Sequence, residues 1–467
     1  MDVLHPWYWR SQPLCDRSGS TLFTALFSEQ TIATLLESPH PHPLGRYSIC
    51  AGGPRQIAGK QRLWTPQVGH ILPFLEQLLQ CGPSLRENAA PEDLPFQGGW
   101  LGWLGYDLAW EIERLPRLQP DPLPFPVAYW YEPENFAVLD HQQQRLWLAA
   151  TDPQQLDRLE QRLHQVLPTP THSPYCDPTD FQFLTNNVEY ERMVQQALQH
   201  IQAGDIFQAN LSTRFCVTAS VDAWQLYTNL QTINPSPFAS YWRTPWGSVV
   251  SCSPERLVKL YGHQAETRPI AGTRPRGTTP EQDHALAQAL LNNVKERAEH
   301  TMLVDLERND LGRVCTWGSV AVDEFLVLEY YSHVTHLVSN IVGLLKPSCS
   351  PIDLIRSMFP GGTITGCPKV RCMEIIATLE PYRRSLFYGS CGYLDHRGRL
   401  DLNILIRTLL VTPTEQSLHP RSGLLQPAII WGQVGAGIVA DSNPEQEWLE
   451  SLQKAKAQVR AIQKMGD

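Results

Sequence analysis

Glu447 and Glu450 stand three residues apart in a run with helical signals, Asn443 to Ile462, and Glu299 stands four and seven residues before Leu303 and Leu306 in a second such run. The three-residue spacing puts Glu447 and Glu450 on one helix face. A carboxylate aligned with leucines falls where burial is expected, and a buried carboxylate requires a cation. Two or three carboxylates, completed by water and ligand oxygens, are the usual way of holding Mg²⁺. The same residues also fit a solvated helix face on which Glu450 pairs with Lys454 for about 0.3–0.5 kcal/mol. On the anion side, Gly361, Gly362 and Gly366 precede a helical run opened by Pro368. Free backbone N–H groups there favour a bound carboxylate or phosphate. Arg407, in the strand-like run Leu402 to Leu410, offers a bidentate clamp on a carboxylate. A capping turn and a structural arginine account for these residues equally well.

The elements that must position these groups are legible in part. Asn186 caps a helix over residues 186–203, with Glu189 at the reciprocal position and Gly204 ending it. A long helical pattern covers Glu281 to Leu311 with a break near Asn292, and another covers Pro368 to Leu379 with Pro368 as its first residue. In the last helix Asn443 caps, Pro444 opens, and Trp448, Leu452, Ala455, Val459 and Ile462 form one apolar stripe. Strand signals lie at Gly45 to Ala51, Phe136 to Leu139, Ser248 to Ser251 and Leu257 to Leu260, and the runs Gly389 to Leu394 and Leu400 to Val411 flank a turn at Gly398. The irregular alternation predicts an α+β fold. Prolines gather at Pro116 to Pro126 and Pro168 to Pro178, which places a boundary near residue 175.

Three short patterns are misleading. Gly435, Gly437 and Ala440 match a dinucleotide fingerprint, but no helix opens there; Cys367 and Pro368 occupy the Lys and Ser/Thr positions of a phosphate loop; Cys391 lacks a nucleophile elbow and reads as a strand cysteine. The net charge of −9, without a basic stripe, predicts no nucleic-acid partner. No apolar run of about eighteen residues is present, so no membrane span or exported leader is expected. Eleven cysteines without a C-x-x-C pair predict reduced thiols and a cytoplasmic protein.

Several longer runs resemble the chorismate-utilising enzymes: Ser253 to Glu255, Pro269 to Thr273, Glu296 to Arg313, Phe359 to Glu374 and Gly435 to Ser442. The resemblance is dense over residues 185–465, the expected catalytic domain. It is thinner over residues 1–175, a regulatory and scaffold portion, where Leu35 to Ser38, Gly45 to Ser48 and Gly98 to Asp107 carry it. It implies a large two-sheet antiparallel β core flanked by helices. Under it, Glu299 and Glu450 hold Mg²⁺, with Glu447 as an outer contributor, and Glu255 is the general acid at the C4 hydroxyl of chorismate, steadied by His336. Arg407, Tyr388, Lys454 and the Gly437 backbone bind the enolpyruvyl carboxylate, Thr365 and Gly366 line the ring, and Leu36, Glu37 and Ser38 belong to a tryptophan pocket.

The resemblance also bears on the nucleophile. Members that add water carry a lysine base where this chain has Gln208, and glutamine cannot serve as that base. Ammonia is therefore the expected reagent, brought by a separate glutamine amidotransferase subunit, since the chain lacks a G-x-C-x-G turn. The neighbours of Gln208 and Gly361 resemble members that aminate C4 to 4-amino-4-deoxychorismate, on the route to para-aminobenzoate and folate. Ala271 resembles anthranilate synthases, which aminate C2 and expel pyruvate, because some C4-aminating members carry a lysine nucleophile there. A non-catalytic metabolite-binding partner of an amidotransferase is the alternative of another class, and it should have lost Glu255, Glu299, Glu450 or Arg407.

Overall fold

Apolar and β-branched residues recur through the chain in runs short enough for strands, separated by turn residues that end them. The computed structural model describes residues 7–38, 45–80, 90–116, 119–165, 181–331, 334–414 and 427–464. Its strands form two large antiparallel sheets, of twelve and ten strands, with helices packed against them. This is the two-sheet α+β core implied by the motifs. The boundary near residue 175 lies outside the described residues, as do Pro168 to Pro178.

The segments on either side of that point share both sheets. In the larger one, Tyr8–Pro13, Arg145–Ala150, Asn135–Asp140, Tyr47–Ala51 and Ala33–Glu37 lead directly to Phe238–Thr244. The order continues through Gly247–Ser253, Thr408–Pro413 and Pro427–Ile438 to Gln208–Ser220 and Gln182–Phe183, and Gly366–Cys367 also pairs with Gln208–Ser220. In the smaller one, Leu63–Trp64, Ala128–Tyr131 and Gly99–Leu104 join Ser390–Asp395, followed by Leu400–Asn403, Arg256–Tyr261, Gln264–Arg268 and Val334–Leu344. Ile270–Pro275 and Ala321–Tyr330 both pair with Val334–Leu344.

Most predicted helices form as read. Asn186 and Glu189 make the reciprocal cap of Asn187–Gln202, and Asn292 ends Pro280–Leu291 before Val294–Val314 begins. Three details differ. Pro368 is the N-cap of Lys369–Leu379 and not its first helical residue; its extended backbone carries the chain out of the short strand Gly366–Cys367. The run Leu400 to Val411 is not one strand. Leu400–Asn403 belongs to the smaller sheet and Thr408–Pro413 to the larger, and the crossing ends at Arg407 with φ +52°. The buried face of Pro444–Gln463 is rotated from the predicted stripe to Glu447, Ser451, Ala455, Gln458, Ala461 and Ile462. Polar partners wait for it: Ser451 meets the Tyr190 hydroxyl at 3.0 Å, and the Gln458 amide donates to Thr408 O at 2.9 Å. Trp448 packs obliquely on Phe183 and Tyr190.

Tryptophans 100, 103, 130 and 242 are fully buried in the largest core cluster. Trp103 packs on Tyr129 at 4.4 Å and edge-on to Trp242 at 5.8 Å, contacts worth about 0.5–1.5 kcal/mol each beyond burial. No helix among the described residues is long and apolar enough to cross a membrane. The nine described cysteines are free thiols.

The two segments are also joined by charge. Asp107, fully buried after Gly99–Leu104, accepts both Nε–H and Nη2–H of Arg383 at 2.9 and 2.7 Å. Burial nevertheless raises the Asp107 pKa to about 6, against the opposing pull of Arg383. Arg383→Met strands that carboxylate, and stability in urea should fall by about 3 kcal/mol near neutral pH. The loss should be smaller at low pH, where Asp107 is neutral, and larger as pH rises through its pKa. A pH-independent loss would show that the pair is not what matters.

Candidate active site

Gln208 opens the strand Gln208–Ser220, and its amide Nε2–H donates to Glu299 Oε1 at 2.8 Å. Glu299 lies in the second turn of Val294–Val314, a helix capped by Asn293. Burial raises the proton affinity of Glu299, as does Glu296, against Gln208, Lys454 and Lys295. Gly437 is on the strand paired with Gln208–Ser220. A Cβ there would stand 2.5 Å from Gln208 Nε2 and 3.3 Å from Glu299 Oε1, so the amide–carboxylate pair requires glycine at 437.

The last helix brings the other two carboxylates. Glu447 is buried, and its proton affinity is raised by burial and by Glu450, while Ser442, Lys295 and Lys454 oppose. Glu450 is half exposed and pairs with Lys454 Nζ at 2.9 Å. Lys454 also donates to Gly435 O at 3.1 Å. Among the described residues no three His, Cys, Asp or Glu side chains converge as ligands, so these glutamates do not close a cage. Glu299 and Glu447 are desolvated carboxylates facing the same two lysines, one of which is already paired with Glu450. That donor set fits a hard divalent cation completed by water and ligand oxygens.

Arg407 lies behind this acidic group. Its Nη1–H donates to Lys454 O, and among the described residues it has no ion pair. Burial lowers its pKa, against the nearby Tyr388. An arginine with its charge unmet is ready for an anionic ligand. Tyr388 is buried with φ +63°; burial raises its pKa, against Arg384, whose guanidinium lies 4.7 Å from its ring. His336, in Val334–Leu344, is held at 2.9 Å from Nδ1 by the Thr273 hydroxyl. Burial, and then Arg407, bring its pKa down to about 4, so it is neutral near pH 7.

Glu255 follows Gly247–Ser253 at the point where the chain changes sheets. It is buried, and its pKa is pushed up to about 7 by desolvation, against Thr363 and the Ile270 N–H, which lies 3.5 Å away. Ala271, buried, is the next residue, on the strand that pairs Thr273 with His336. Thr365 is fully buried and donates to Gly361 O at 2.8 Å, while its own carbonyl accepts Asn210 N–H at 2.8 Å. Gly366 has φ +132°, and a Cβ would meet Gln208 O at 2.1 Å.

The residues from 49 to 460 match the family model described as chorismate binding enzyme. The chain belongs to this family. It is 60% identical to an anthranilate synthase component I-like protein of Synechocystis, over 98% of this chain and 93% of that one. It is 42% identical to aminodeoxychorismate synthase component 1 of Bacillus subtilis, over 94% of each. The crystal structure of anthranilate synthase component I from Streptococcus pneumoniae superposes with a TM-score of 0.73 at 31% identity, covering 90% of this chain and 94% of that one.

Contacts and mutual electrostatic effects link Gln208, Glu299, Gly437, Glu447, Glu450, Lys454, Arg407, Tyr388 and His336 in this chorismate-binding chain. Glu255 and Ala271 join through the strand that also carries Thr273. Leu36, Glu37 and Ser38 lie apart. Glu37 is buried and accepts from Ser20 N–H at 2.9 Å, Ser20 Oγ–H at 2.6 Å and the Tyr227 hydroxyl at 2.9 Å, and Ser38 donates to Pro237 O. Sequence reasoning missed Lys295 and Thr363. Lys295 precedes Glu299 by one helical turn, a spacing that was readable; Thr363 reaches Glu255 only through tertiary folding.

Gly437→Ala should separate Gln208 from Glu299 and reduce chorismate turnover by about a hundredfold, since small misplacements at a reacting centre carry such costs. Thermal unfolding should show the fold intact. Near-normal turnover would mean that this pair is not needed.

Proposed function

We propose that this chain transfers ammonia to C4 of chorismate, giving 4-amino-4-deoxychorismate and water, with ammonia delivered by a separate glutamine amidotransferase subunit. The observation that carries amination is Gln208: a buried amide hydrogen-bonded to Glu299 stands where water-adding members carry a lysine base. Ammonia needs no such base. Support for C4 comes from the Bacillus subtilis relative and from the runs beside Gln208 and Gly361.

In this reading Arg407, with Lys454 and Tyr388 beside it, binds the enolpyruvyl carboxylate, and the backbone at Gly437 and Gly366 leaves room for the ring. Glu299, Glu447 and Glu450 would hold Mg²⁺, which supplies charge stabilisation for the ring carboxylate when bound. Glu255, neutral up to about pH 7, protonates the C4 oxygen; the C4–O bond breaks with its electron pair leaving on water. Neutral His336 steadies that hydroxyl without adding charge. Ammonia supplies the electron pair of the new C–N bond, and the proton it sheds restores the Glu255 carboxyl.

A second reading, C2 amination with pyruvate release, is favoured by Ala271 and by the Synechocystis relative. A purely binding role is disfavoured by the presence of Glu255, Glu299, Glu450 and Arg407 together.

Incubating the chain with chorismate, Mg²⁺ and ammonium salt should yield a product that releases pyruvate only after a 4-amino-4-deoxychorismate lyase is added. Fluorescent anthranilate and pyruvate from this chain alone would overturn the C4 assignment, and no turnover by folded protein would overturn amination. At constant free ammonia, kcat/KM for chorismate should fall as pH rises through about 7, because Glu255 then ionises. Glu255→Gln should lose about 10²–10⁴-fold in kcat and the pH limb with it. Retained activity would remove Glu255 from the acid role.

A further inference from the structure

The turn that leads to Tyr388 contains a buried arginine to which the proposed reaction gives no part. Arg384 is almost inaccessible to solvent, and its guanidinium reaches several separate segments. Its Nε–H and an Nη2–H donate to Glu380 Oε2 and Oε1 at 2.9 and 2.8 Å. Nη2 also donates to Asn210 O at 2.6 Å, and Nη1 donates to Ile364 O at 2.7 Å. The planar group lies 4.7 Å from the ring centres of both Tyr106 and Tyr388.

These partners adjoin groups assigned to the site. Ile364 precedes Thr365, and Asn210 follows Gln208 by two residues on the same strand face. Asn210 N–H donates to Thr365 O at 2.8 Å, so the two carbonyls held by Arg384 flank a direct contact between strand and loop. Glu380 is bound to the same strand, because Ser212 N–H and the Ser212 hydroxyl both donate to its Oε1 at 2.8 Å. The backbone of the turn is strained: Ser385 has φ +56° and Tyr388 φ +63°. Residues with side chains persist in that region where their surroundings over-determine it. Here Tyr106 N–H donates to Ser385 O at 2.8 Å, Tyr388 N–H donates to Leu405 O at 2.9 Å, and the guanidinium lies against the Tyr388 ring.

We propose that Arg384 is a positioning residue for the substrate: it holds Tyr388 against the strand of Gln208 and the loop of Thr365, and so sets the seat of the enolpyruvyl carboxylate. The proposal rests on the reading of Tyr388 as a ligand of that carboxylate. The charge of Arg384 is already met by Glu380, so it acts through geometry and leaves the charge of the substrate to Arg407. Lysine cannot take its place. One tetrahedral ammonium does not present coplanar donors to two carbonyls and a bidentate carboxylate while lying against a ring.

The test uses the full chain and Arg384→Lys, with chorismate binding measured calorimetrically in Mg²⁺ without ammonia, so that it does not depend on which carbon is aminated. Kd should rise about tenfold, the effect of misplacing one hydrogen bond to a charged ligand group. With ammonium salt, KM should rise in step while kcat changes less than about threefold. A fall in kcat at constant KM and Kd would report only a smaller folded fraction and would overturn the proposal. Tyr388→Phe separates the two ideas. If it leaves Kd unchanged, the reading of Tyr388 falls and the proposal with it; if it raises Kd while Arg384→Lys does not, the proposal alone falls. Where both raise Kd, the double variant should bind little worse than either single one, because Arg384 acts through Tyr388; losses that multiply would sink that link. Should Arg384→Lys not fold, Glu380→Gln keeps the shape of the carboxylate and removes the charge that orients the guanidinium. Kd should then rise about threefold, and an unchanged Kd would count against the proposal in the same way.

Discussion

The ladder between Gln208–Ser220 and Pro427–Ile438 is the constraint on which the site depends. It pairs twelve residues on each strand, from Ala209 opposite Ile438 to Ser220 opposite Pro427. Because side chains alternate across a strand, a slip of one residue would reverse every one of them. Gln208 would leave Glu299, and the glycine needed at 437 would no longer face the pair. The same ladder sets the last helix, which packs on Pro427–Ile438 through Lys454 on Gly435 O and thereby fixes Glu447, Glu450 and the carbonyl held by Arg407. Register in the sheet is thus converted into the placement of carboxylates that lie more than 140 residues apart in sequence.

The electrostatic plan follows from what is left unpaired. Several buried carboxylates elsewhere are matched by arginines: Glu132 takes Arg55 and Arg62, and Glu380 takes Arg384. Arg407 has no carboxylate and Glu255 has no cation. Leaving one charge unmet costs several kcal/mol in a dry environment, so such groups persist where a ligand completes them or where the group stays neutral. Arg407 fits the first case and Glu255 the second. The crossing at Ile404 to Arg407 serves both: Ile404 N–H binds Glu255 O at 3.0 Å, and Arg407 then turns, with φ +52°, into the larger sheet.

What the sequence revealed, and what it hid, divides by range. Caps at Asn186 and Asn443 are local, and a side-chain oxygen three residues before a free N–H is visible in any sequence. Glu299 was suspect because leucines shared its helical stripe. The family motifs carried the two-sheet fold, which periodicity alone left as α+β. Arg407 was misplaced within a strand because Leu402 to Leu410 is mostly apolar, and apolarity does not report that a chain leaves one sheet for another. The face of the last helix was misjudged for a related reason: Ser451 and Gln458 are buried by polar partners contributed from distant segments, which no hydrophobic stripe can register.

The N-terminal segment has a structural relation to Glu255 that its position in the sequence conceals. Ala33–Glu37 pairs with Phe238–Thr244, with Glu37 opposite Ala239, and that strand pairs in turn with Gly247–Ser253, ending two residues before Glu255. Glu37 is held by Ser20 at the start of one helix and by Tyr227 of another, so its strand is tied at the end nearest Glu255. Three of the roughly four acceptor positions of that carboxylate are therefore already taken, which fixes the strand end against both helices. Two backbone ladders, with Glu37 opposite Ala239 and Phe238 opposite Ser253, then connect that fixed end to the turn that carries Glu255.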